Sequence, residues 1–200
     1  MLLLQMSRKI LIVTGDAGES YEAPYAVHRM QEAGFEAIVA APSKRRLHLV
    51  IHDFEPGWDT YVERQPGYGL SADITIEKAK AKDYDAILII GGRAPEYLRN
   101  DRKLLKQLAR EFDKQGKWLL AICHGIQVLV AAGLTKGKNV TCYEHVKYEV
   151  ESTGGKWINK QAVRDGRMIT GQTWQSHPEF YREVMSQLQP PSNLRDSCPY

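Results

Sequence analysis

An apolar run, a cysteine and a second apolar run follow one another in the second half of the chain. Residues 117–122 (KWLLAI) suit a buried strand, and residues 125–133 (GIQVLVAAG) suit a helix that begins at a glycine. Cys123 falls at the sharp turn between them, with small residues two positions away on either side, Ala121 and Gly125. This pattern is typical of a nucleophile elbow, with a thiol in place of a hydroxyl. We expect the positive end of the following helix to favour the thiolate of Cys123, which is its reactive form.

Strands and helices alternate along most of the chain, which favours an α/β fold. Residues 8–14 suit a buried strand, residues 21–33 a helix capped by Ser20, and residues 35–41 a second strand. Residues 46–76 carry short β-type pieces and turn signals, and predict a hairpin-like excursion. The remaining elements are expected to be a short helix at 76–82, a strand at 85–90, a helix at 101–114, a strand at 139–143, a helix at 146–153, an antiparallel pair at 157–163 and 167–170, and a closing helix at 177–188. The pattern predicts a doubly wound, mostly parallel sheet sandwiched by helices.

Length and composition narrow the classes of protein to consider. With 200 residues, 43% of them hydrophobic, the chain can form one domain with a substantial core, which we place at residues 7–188 between a leader (1–6) and a flexible tail (189–200). The net charge is only +3 and the basic residues are scattered, so we expect no nucleic-acid partner. No window approaches the roughly 20 apolar residues of a membrane span, so we expect no membrane partner. Three cysteines form no disulfide framework, which predicts a cytoplasmic protein.

Three loops that follow predicted strands carry the candidate catalytic groups. In an open α/β sheet, ligands bind at the carboxyl ends of the strands. Cys123 and His124 follow one strand, Gly91-Gly92 follows another, and Glu19 lies in the loop after the first. The backbone N–H groups of Gly92 and His124 suit an oxyanion site, whereas the imidazole of His124 need not point at the sulfur. Glu19 fits two hypotheses equally: a surface carboxylate near a helix start, or an acid beside the thiolate that shuttles protons.

Late in the chain, Trp174 and His177 are weaker candidates. Trp174 fits either a pocket wall or the core, and His177 directly precedes Pro178 at a predicted helix start, where capping or packing is the commoner role. No histidine or cysteine pair has the spacing of a metal site, and the loop at 15–18 lacks the GxGxxG pattern of dinucleotide binding. We therefore expect neither a metal nor another cofactor.

Four segments together resemble the ThiJ/PfpI superfamily. They are GDAGESYE at 15–22, GGRAPEYLRND at 91–101, AICHG at 121–125 and TGQTWQSHPEF at 170–180. The chain looks most like the PfpI-like branch and the plant tandem-domain glyoxalase III proteins, and the resemblance covers residues 9–188. It implies a flavodoxin-like sandwich that shares its cysteine elbow with class I glutamine amidotransferases. Because this chain carries one copy of a domain that the plant proteins carry twice, the resemblance implies a homo-oligomer, a dimer that can assemble into a trimer of dimers.

The resemblance also assigns roles to individual residues. Cys123 matches the nucleophile, Glu19 the carboxylate that hydrogen-bonds it and moves protons, and His124 the histidine that follows the nucleophile. Gly92 and His124 match the backbone donors of the oxyanion site. Glu96 matches a glutamate that, in PfpI-like proteases, reaches the histidine of a neighbouring subunit. From the residues alone, Glu96 is equally well a helix N-terminal acid that follows a proline.

These assignments favour a cofactor-free, glutathione-independent glyoxalase that converts methylglyoxal or glyoxal to a 2-hydroxy acid. Cys123 would form a hemithioacetal with the aldehyde, and Glu19 would shuttle the proton. The first alternative is a cysteine peptidase or amidase that uses Cys123, His124 and Glu96 from a neighbouring subunit. The second is a stress protein, either a redox sensor that acts through oxidation of Cys123 or a protein deglycase. The sequence leaves these alternatives open.

Overall fold

The computed structural model of the chain describes residues 8–188 except residue 102. The predicted leader, the predicted tail and Cys198 lie outside the described residues. The strands in the described part are β1 (Lys9–Val13), β2 (Glu36–Ala41), β3 (Arg46–His48), β4 (Ile51–Asp53), β5 (Val62–Arg64), β6 (Gly69–Ser71), β7 (Ile74–Thr75), β8 (Ala86–Ile89), β9 (Trp118–Ile122), β10 (Asn139–Val140), β11 (Lys156–Trp157), β12 (Ala162–Asp165) and β13 (Met168–Gly171). The α-helices are α1 (Glu22–Glu32), α2 (Ala94–Asp101), α3 (Lys103–Lys114), α4 (Ile126–Ala131), α5 (Lys147–Ser152) and α6 (His177–Leu188).

Within the described residues, a seven-stranded sheet has the order β12-β13-β9-β8-β1-β2-β7. All neighbours run parallel except the edge strand β12, which is antiparallel to β13. The crossover from β1 through α1 leads to β2 on one side, whereas the crossover from β8 through α2 and α3 leads to β9 on the other. Because such crossovers are right-handed, helices cover both faces of the sheet, as predicted. The direction of the crossovers changes between β1 and β8, and ligands of open α/β sheets bind at this point.

Continuous apolar runs build the centre of the sheet. Residues 10–13 in β1 and residues 86–89 in β8 have no solvent exposure, which is typical of parallel strands covered on both faces. Helix α3 packs against β8 and β9 with Leu105, Leu108 and Phe112 on its buried side. The helix predicted at 101–114 is therefore confirmed over Lys103–Lys114. Burial of the Phe112 ring contributes about 2–3 kcal/mol to stability.

Residues 139–143 and 76–82 differ from prediction. Only Asn139–Val140 forms a strand, and it pairs with β11 outside the main sheet. The backbone N–H of Thr141 donates to the side-chain oxygen of Thr170 (2.8 Å) instead of a neighbouring strand, so the ladder ends there. The predicted short helix is two separate 3-10 turns, Ile76–Lys78 and Ala81–Asp83, because the two residues between them are extended.

The excursion between β2 and β7 contains two antiparallel pairs, as predicted for residues 46–76. Strand β3 pairs with β6, and β4 pairs with β5. The antiparallel pair predicted near the C-terminus is present as β12 and β13, but its first strand is Ala162–Asp165 and not 157–163, because Trp157 belongs to β11 and pairs with β10. None of the helices in the described part of the chain is long and apolar enough to span a bilayer.

Candidate active site

Cys123 occupies a strained turn at the end of β9. Its φ of 57° lies in the left-handed region, which is uncommon for a residue with a side chain and clusters at functional sites. A 3-10 turn at Cys123–Gly125 leads directly into α4. Gly125 is required for this approach, since a Cβ at that position would lie 2.2 Å from the carbonyl oxygen of Ile89 in β8. The predicted nucleophile elbow is therefore present.

The loops after β1 and β8 are joined directly beside this elbow. Gly18 and Gly92 form an antiparallel bridge, and the backbone N–H of Arg93 donates to the carbonyl of Ala17 at 2.8 Å. The N–H of Glu19 donates to the carbonyl of Gly91 at 3.3 Å. The three strand ends that the sequence singled out thus meet at one place.

The carboxyl group next to the Cys123 thiol belongs to Glu22. A Cβ built on Gly91 would lie 2.7 Å from Oε2 of Glu22, 2.5 Å from Cβ of Cys123 and 3.1 Å from its Sγ. Glu22 is completely buried, and its Oε2 accepts the backbone N–H of Gly91 at 2.8 Å. The family resemblance implies that Glu19 is the carboxylate that contacts the thiol. The geometry gives this contact to Glu22 instead.

Glu19 holds the start of α1. Its Oε2 accepts the backbone N–H groups of Tyr21 (2.7 Å) and Glu22 (2.6 Å), which a helix start leaves without internal partners. Its Oε1 accepts a longer hydrogen bond of 3.5 Å from the N–H of His52. The predicted cap, Ser20, is wrong: helix α1 begins at Glu22, and Glu19 satisfies the N–H groups of its first residues.

The helical spacing of buried positions in α1 is the sequence signal that could have identified Glu22 as a site residue. The buried face of α1 consists of Glu22, Ala23, Ala26 and Met30, so Glu22 shares the four-residue spacing of the apolar positions. A carboxyl group on the buried stripe of a helix, next to a strand end, is unusual enough to indicate a functional site.

Burial and mutual repulsion couple Glu22 to Cys123. Burial, followed by the charge of Glu19, raises the pKa of Glu22 well above its ordinary value; the Gly91 N–H and the Cys123 thiol oppose this shift. Burial and an ionised Glu22 likewise raise the pKa of the Cys123 thiol, against the predicted effect of the helix end. Two adjacent buried groups of this kind do not both ionise. The pair therefore holds at least one proton at neutral pH.

Backbone donors and His124 surround the sulfur on its other side. The backbone N–H groups of Gly92 and His124 act on Cys123 and lower the pKa of its thiol. Their role at an oxyanion site stays a prediction. Nδ1 of His124 lies 3.3 Å from Sγ. Burial lowers the pKa of His124 to about 4, with His52 and Arg99 adding to the shift, so its imidazole is neutral at physiological pH.

Two tyrosines that the sequence analysis missed lie over the same site. The rings of Tyr61 and Tyr143 lie 5.8 and 5.3 Å from the ring of His124. Burial, with the charges of Glu96 and Cys123, raises the pKa of Tyr61 to about 12. Burial and the charge of Cys123 also raise the pKa of Tyr143. Both residues lie in irregular segments without a motif, so only the fold brings them to the thiol.

Glu96 lies near the site without touching His124. It is in the first turn of α2, half-buried, and its charge acts on Tyr61 and Arg93. Its carboxylate has no hydrogen bond or ion pair among the residues that the structure describes. The structure therefore leaves Glu96 available, but does not join it to the Cys123–His124 pair within one chain.

Trp174 and His177 have separate environments. Trp174 donates a hydrogen bond to the carbonyl of His52 (3.0 Å) and lines a cavity of about 430 Å³ beside Glu19. His177 is buried, stacks on Tyr25 with ring centroids 4.5 Å apart, and lines a different cavity of about 440 Å³. Trp174 and His177 thus line two separate cavities, and only the cavity of Trp174 includes Glu19. No group of three or more His, Cys, Asp or Glu side chains within the described chain is arranged to hold a metal ion.

Comparison with known proteins identifies the family of the chain. The profile of the DJ-1/PfpI family matches residues 8–187. The chain is 36% identical to Protein DJ-1 homolog D of Arabidopsis thaliana over 91% of its own length and spans about half (48%) of that protein. It is 32% identical to Deglycase PfpI of Pyrococcus furiosus over 81% of its length and 88% of that protein.

Solved structures show the same fold. The crystal structure of Drosophila melanogaster DJ-1beta superimposes with a TM-score of 0.78 at 21% identity, over 92% of this chain and 91% of that one. The mostly parallel sheet flanked by helices, with the cysteine elbow at the end of β9, is thus the flavodoxin-like fold of these proteins. From the profile match over residues 8–187 and the 32% identity to Deglycase PfpI, we conclude that the chain belongs to the DJ-1/PfpI family.

Proposed function

We propose that this protein is a cofactor-free, glutathione-independent glyoxalase that converts methylglyoxal or glyoxal to a 2-hydroxy acid. The observation that carries the proposal is the buried carboxyl of Glu22 next to the Cys123 thiol, beside the backbone N–H groups of Gly92 and His124. A reaction that moves a proton between neighbouring carbon atoms needs a nucleophile, an acid–base group and oxyanion donors within one site. These three components adjoin one another here.

The first step is addition of the sulfur to the aldehyde. Glu22 takes the proton of the Cys123 thiol while the sulfur bonds to the aldehyde carbon, and it passes that proton to the carbonyl oxygen, which gives a neutral hemithioacetal and an ionised Glu22. The N–H groups of Gly92 and His124 stabilise the oxygen while it carries negative charge.

The second step moves a proton between the two oxidised carbons. The Glu22 carboxylate removes the hydrogen of the former aldehyde carbon to form an enediol and returns a proton to the neighbouring carbon. The enediol proton passes from the first oxygen to the second, which leaves a thioester of the 2-hydroxy acid. Water then cleaves the thioester, so the net reaction adds one water to methylglyoxal and yields lactate with one proton.

A protein deglycase is a second candidate, since the relative from Pyrococcus furiosus carries the name Deglycase PfpI. The same sulfur and carboxyl would act on an aldehyde that is already attached to an amine or thiol of another protein. The two activities differ in the size of the molecule that must reach Cys123. Cytoplasmic location and homo-oligomeric assembly remain part of the proposal.

The test is lactate formation from methylglyoxal without glutathione, counted per enzyme molecule. Cys123→Ala and Glu22→Gln should each lower turnover by at least about 10³-fold, because each removes a group that acts on the reacting carbons. Cys142→Ala is the matched control, since Cys142 is another buried thiol, removed from the elbow in sequence. Persistent turnover in Cys123→Ala would contradict the mechanism, and aldehyde loss without lactate would indicate simple thiol addition.

A further inference from the structure

The β4–β5 hairpin, residues 51–64, covers the side of the site that His124 forms. The ring of His52 lies 6.4 Å from that of His124, and Tyr61 stacks on His52 at 4.0 Å. Phe54 and Tyr61 pack against Tyr143 with centroids 6.2 and 5.6 Å apart. The hairpin thus places an aromatic layer over the cysteine elbow.

Three polar connections fix this hairpin to the rest of the site. On one side, Glu63 accepts two hydrogen bonds from the guanidinium of Arg93, at 2.5 and 2.8 Å. On the other side, the hydroxyls of Thr60 and Tyr143 are 2.8 Å apart. Beside them, the ring nitrogen Nε2 of His145 lies 2.9 Å from the carbonyl of Asp59. Because these contacts lie on both sides of the site, they hold the hairpin in place over it.

The result is a nearly closed active site. Cys123 and His124 are each only 6% exposed although both would have to meet a substrate. A group attached to a folded protein cannot reach a sulfur that is covered in this way unless the hairpin moves. A small free molecule needs a much smaller opening.

We propose that the β4–β5 hairpin is a lid, contributed by the same chain, that restricts the Cys123 site to small free carbonyl compounds, and that the Glu63–Arg93 ion pair is its latch. The proposal rests on the proposed function, whose substrate class it specifies. It predicts free dicarbonyls as substrates and excludes aldehyde adducts on folded proteins. Its experiment measures access to the sulfur, which does not depend on turnover.

Arg93 makes the ion pair suitable as a latch because it directly follows Gly92, one of the two oxyanion donors. Its guanidinium therefore ties the hairpin to the loop that binds the reacting oxygen. The two parallel hydrogen bonds form the geometry in which arginine binds carboxylates most strongly. Glu63 also lies 3.1 Å from Nε2 of His52, so one carboxylate positions both the edge and the aromatic layer of the lid.

Two glutamates of the hairpin provide a matched pair of variants. Glu63→Gln removes the charge that binds Arg93. Glu55→Gln removes the charge that binds Arg64, an ion pair that lies within the hairpin. Each variant and the wild type are treated with iodoacetamide or with a maleimide that carries a long polyethylene glycol chain. Labelling of Cys123 is followed by peptide mass spectrometry, which separates it from the other cysteines.

We expect wild type and Glu55→Gln to react with iodoacetamide and to resist the large maleimide. In Glu63→Gln, the ratio of the large-reagent rate to the small-reagent rate should rise about tenfold, because a lost charged hydrogen bond shifts the lid toward its open state. Thr60→Val, which cuts the connection to Tyr143 on the other side, should raise the same ratio and serves if Glu63→Gln is poorly folded.

If iodoacetamide and the large maleimide label Cys123 of the wild type at comparable rates, the proposal that the hairpin is a lid is overturned. If the ratio of the large-reagent rate to the small-reagent rate is equal in Glu63→Gln and Glu55→Gln, the proposal that the Glu63–Arg93 ion pair is a latch is overturned. If the ratios behave as expected but the wild type makes no lactate from methylglyoxal, the lid stands and the proposed function fails. If lactate forms and the large maleimide labels the wild type freely, the function stands and the size restriction fails.

Discussion

The carboxylate of Glu19 accepts the backbone N–H of Glu22 at 2.6 Å. The two carboxyl groups are close in the chain, but their partners and roles differ. The carboxylate of Glu19 is held by three backbone N–H donors, and its negative charge acts on Glu22. Among the described residues, Glu22 has the Gly91 N–H and the Cys123 thiol as its partners, and the charge of Glu19 raises its pKa. We infer that Glu19 is a positioning residue and that Glu22 is the acid–base group.

Replacement of each glutamate by glutamine separates these duties. Glu22→Gln should lower lactate formation by about 10²–10⁴-fold, because an amide cannot take the proton from carbon. Glu19→Gln keeps a side-chain oxygen that can accept the N–H groups at the start of α1. This variant should therefore lower lactate formation by only about tenfold. The loss of its charge lowers the pKa of Glu22, so the limb of the kcat profile that reports Glu22 should move to lower pH. Equal losses in both variants, with no shift of the profile, would refute the division of duties.

Gly91 has no room for a side chain between the two reacting groups. In Gly91→Ala, the new methyl carbon would lie 2.5 Å from Cβ of Cys123 and 2.7 Å from Oε2 of Glu22, so the thiol and the carboxyl must separate. We expect lactate formation to fall at least about 100-fold, since a displacement of that size removes catalytic alignment. Kinetics with methylglyoxal at a temperature where the variant is folded measure this effect.

Gly34→Ala is the control for the cost of replacing a glycine. Gly34 has a φ of 83° and open space around its Cα, so alanine there should cost about 1–2 kcal/mol of stability through the backbone alone. Its activity should stay at the level of wild type. Full activity of Gly91→Ala would show that the thiol and carboxyl need not adjoin.

The architecture was predictable because its signals are local. The apolar runs of β1 and β8, the amphipathic spacing of α3 and the cysteine at 123 between a strand and a helix all arise from neighbouring residues. The strand predicted at 139–143 was largely wrong because a tertiary contact, from Thr141 to Thr170, replaces the expected ladder. Periodicity within one segment contains no information about that contact.

The candidate site was predictable only in part for the same reason. Cys123, Gly92 and His124 follow strand ends, which the sequence marks and the topology brings together. The choice between Glu19 and Glu22 depends on where α1 begins, and Glu19 determines that start by accepting two N–H groups. Tyr61 reaches the site through a hairpin whose position depends on long-range contacts such as Glu63 with Arg93.

Glu96 distinguishes the glyoxalase from the peptidase hypothesis. Its carboxylate has no hydrogen bond or ion pair within the described chain, and the peptidase hypothesis requires it to reach His124 of a neighbouring subunit. If the proposed function is right, Glu96→Gln should change kcat/KM for methylglyoxal by no more than about twofold, as is usual for a polar residue outside the machinery. A large loss of lactate formation, together with an unchanged oligomer, would give Glu96 a catalytic role.

His177 should make the fold sensitive to mild acid. It is 4% exposed, both ring nitrogens lack a hydrogen-bond partner among the described residues, and burial lowers its pKa from 6.5 to about 4. The unfolded chain binds a proton at His177 below its ordinary pKa, whereas the folded chain does not until the pH is near 4. Stability is therefore lost as the pH falls from 6.5 toward 4, by about 3 kcal/mol for this residue.

His177→Phe tests this assignment, because phenylalanine can keep the stacking on Tyr25 without a titratable ring. We expect the free energy of unfolding in urea to fall less between neutral pH and about pH 4 in the variant than in the wild type. Lactate formation at neutral pH should be unchanged, since His177 does not line the cavity beside Glu19. His124 also has a pKa lowered to about 4 and should provide the acid sensitivity that remains. Identical pH dependence in wild type and variant would mean that His177 is protonated, or partnered, in the folded protein.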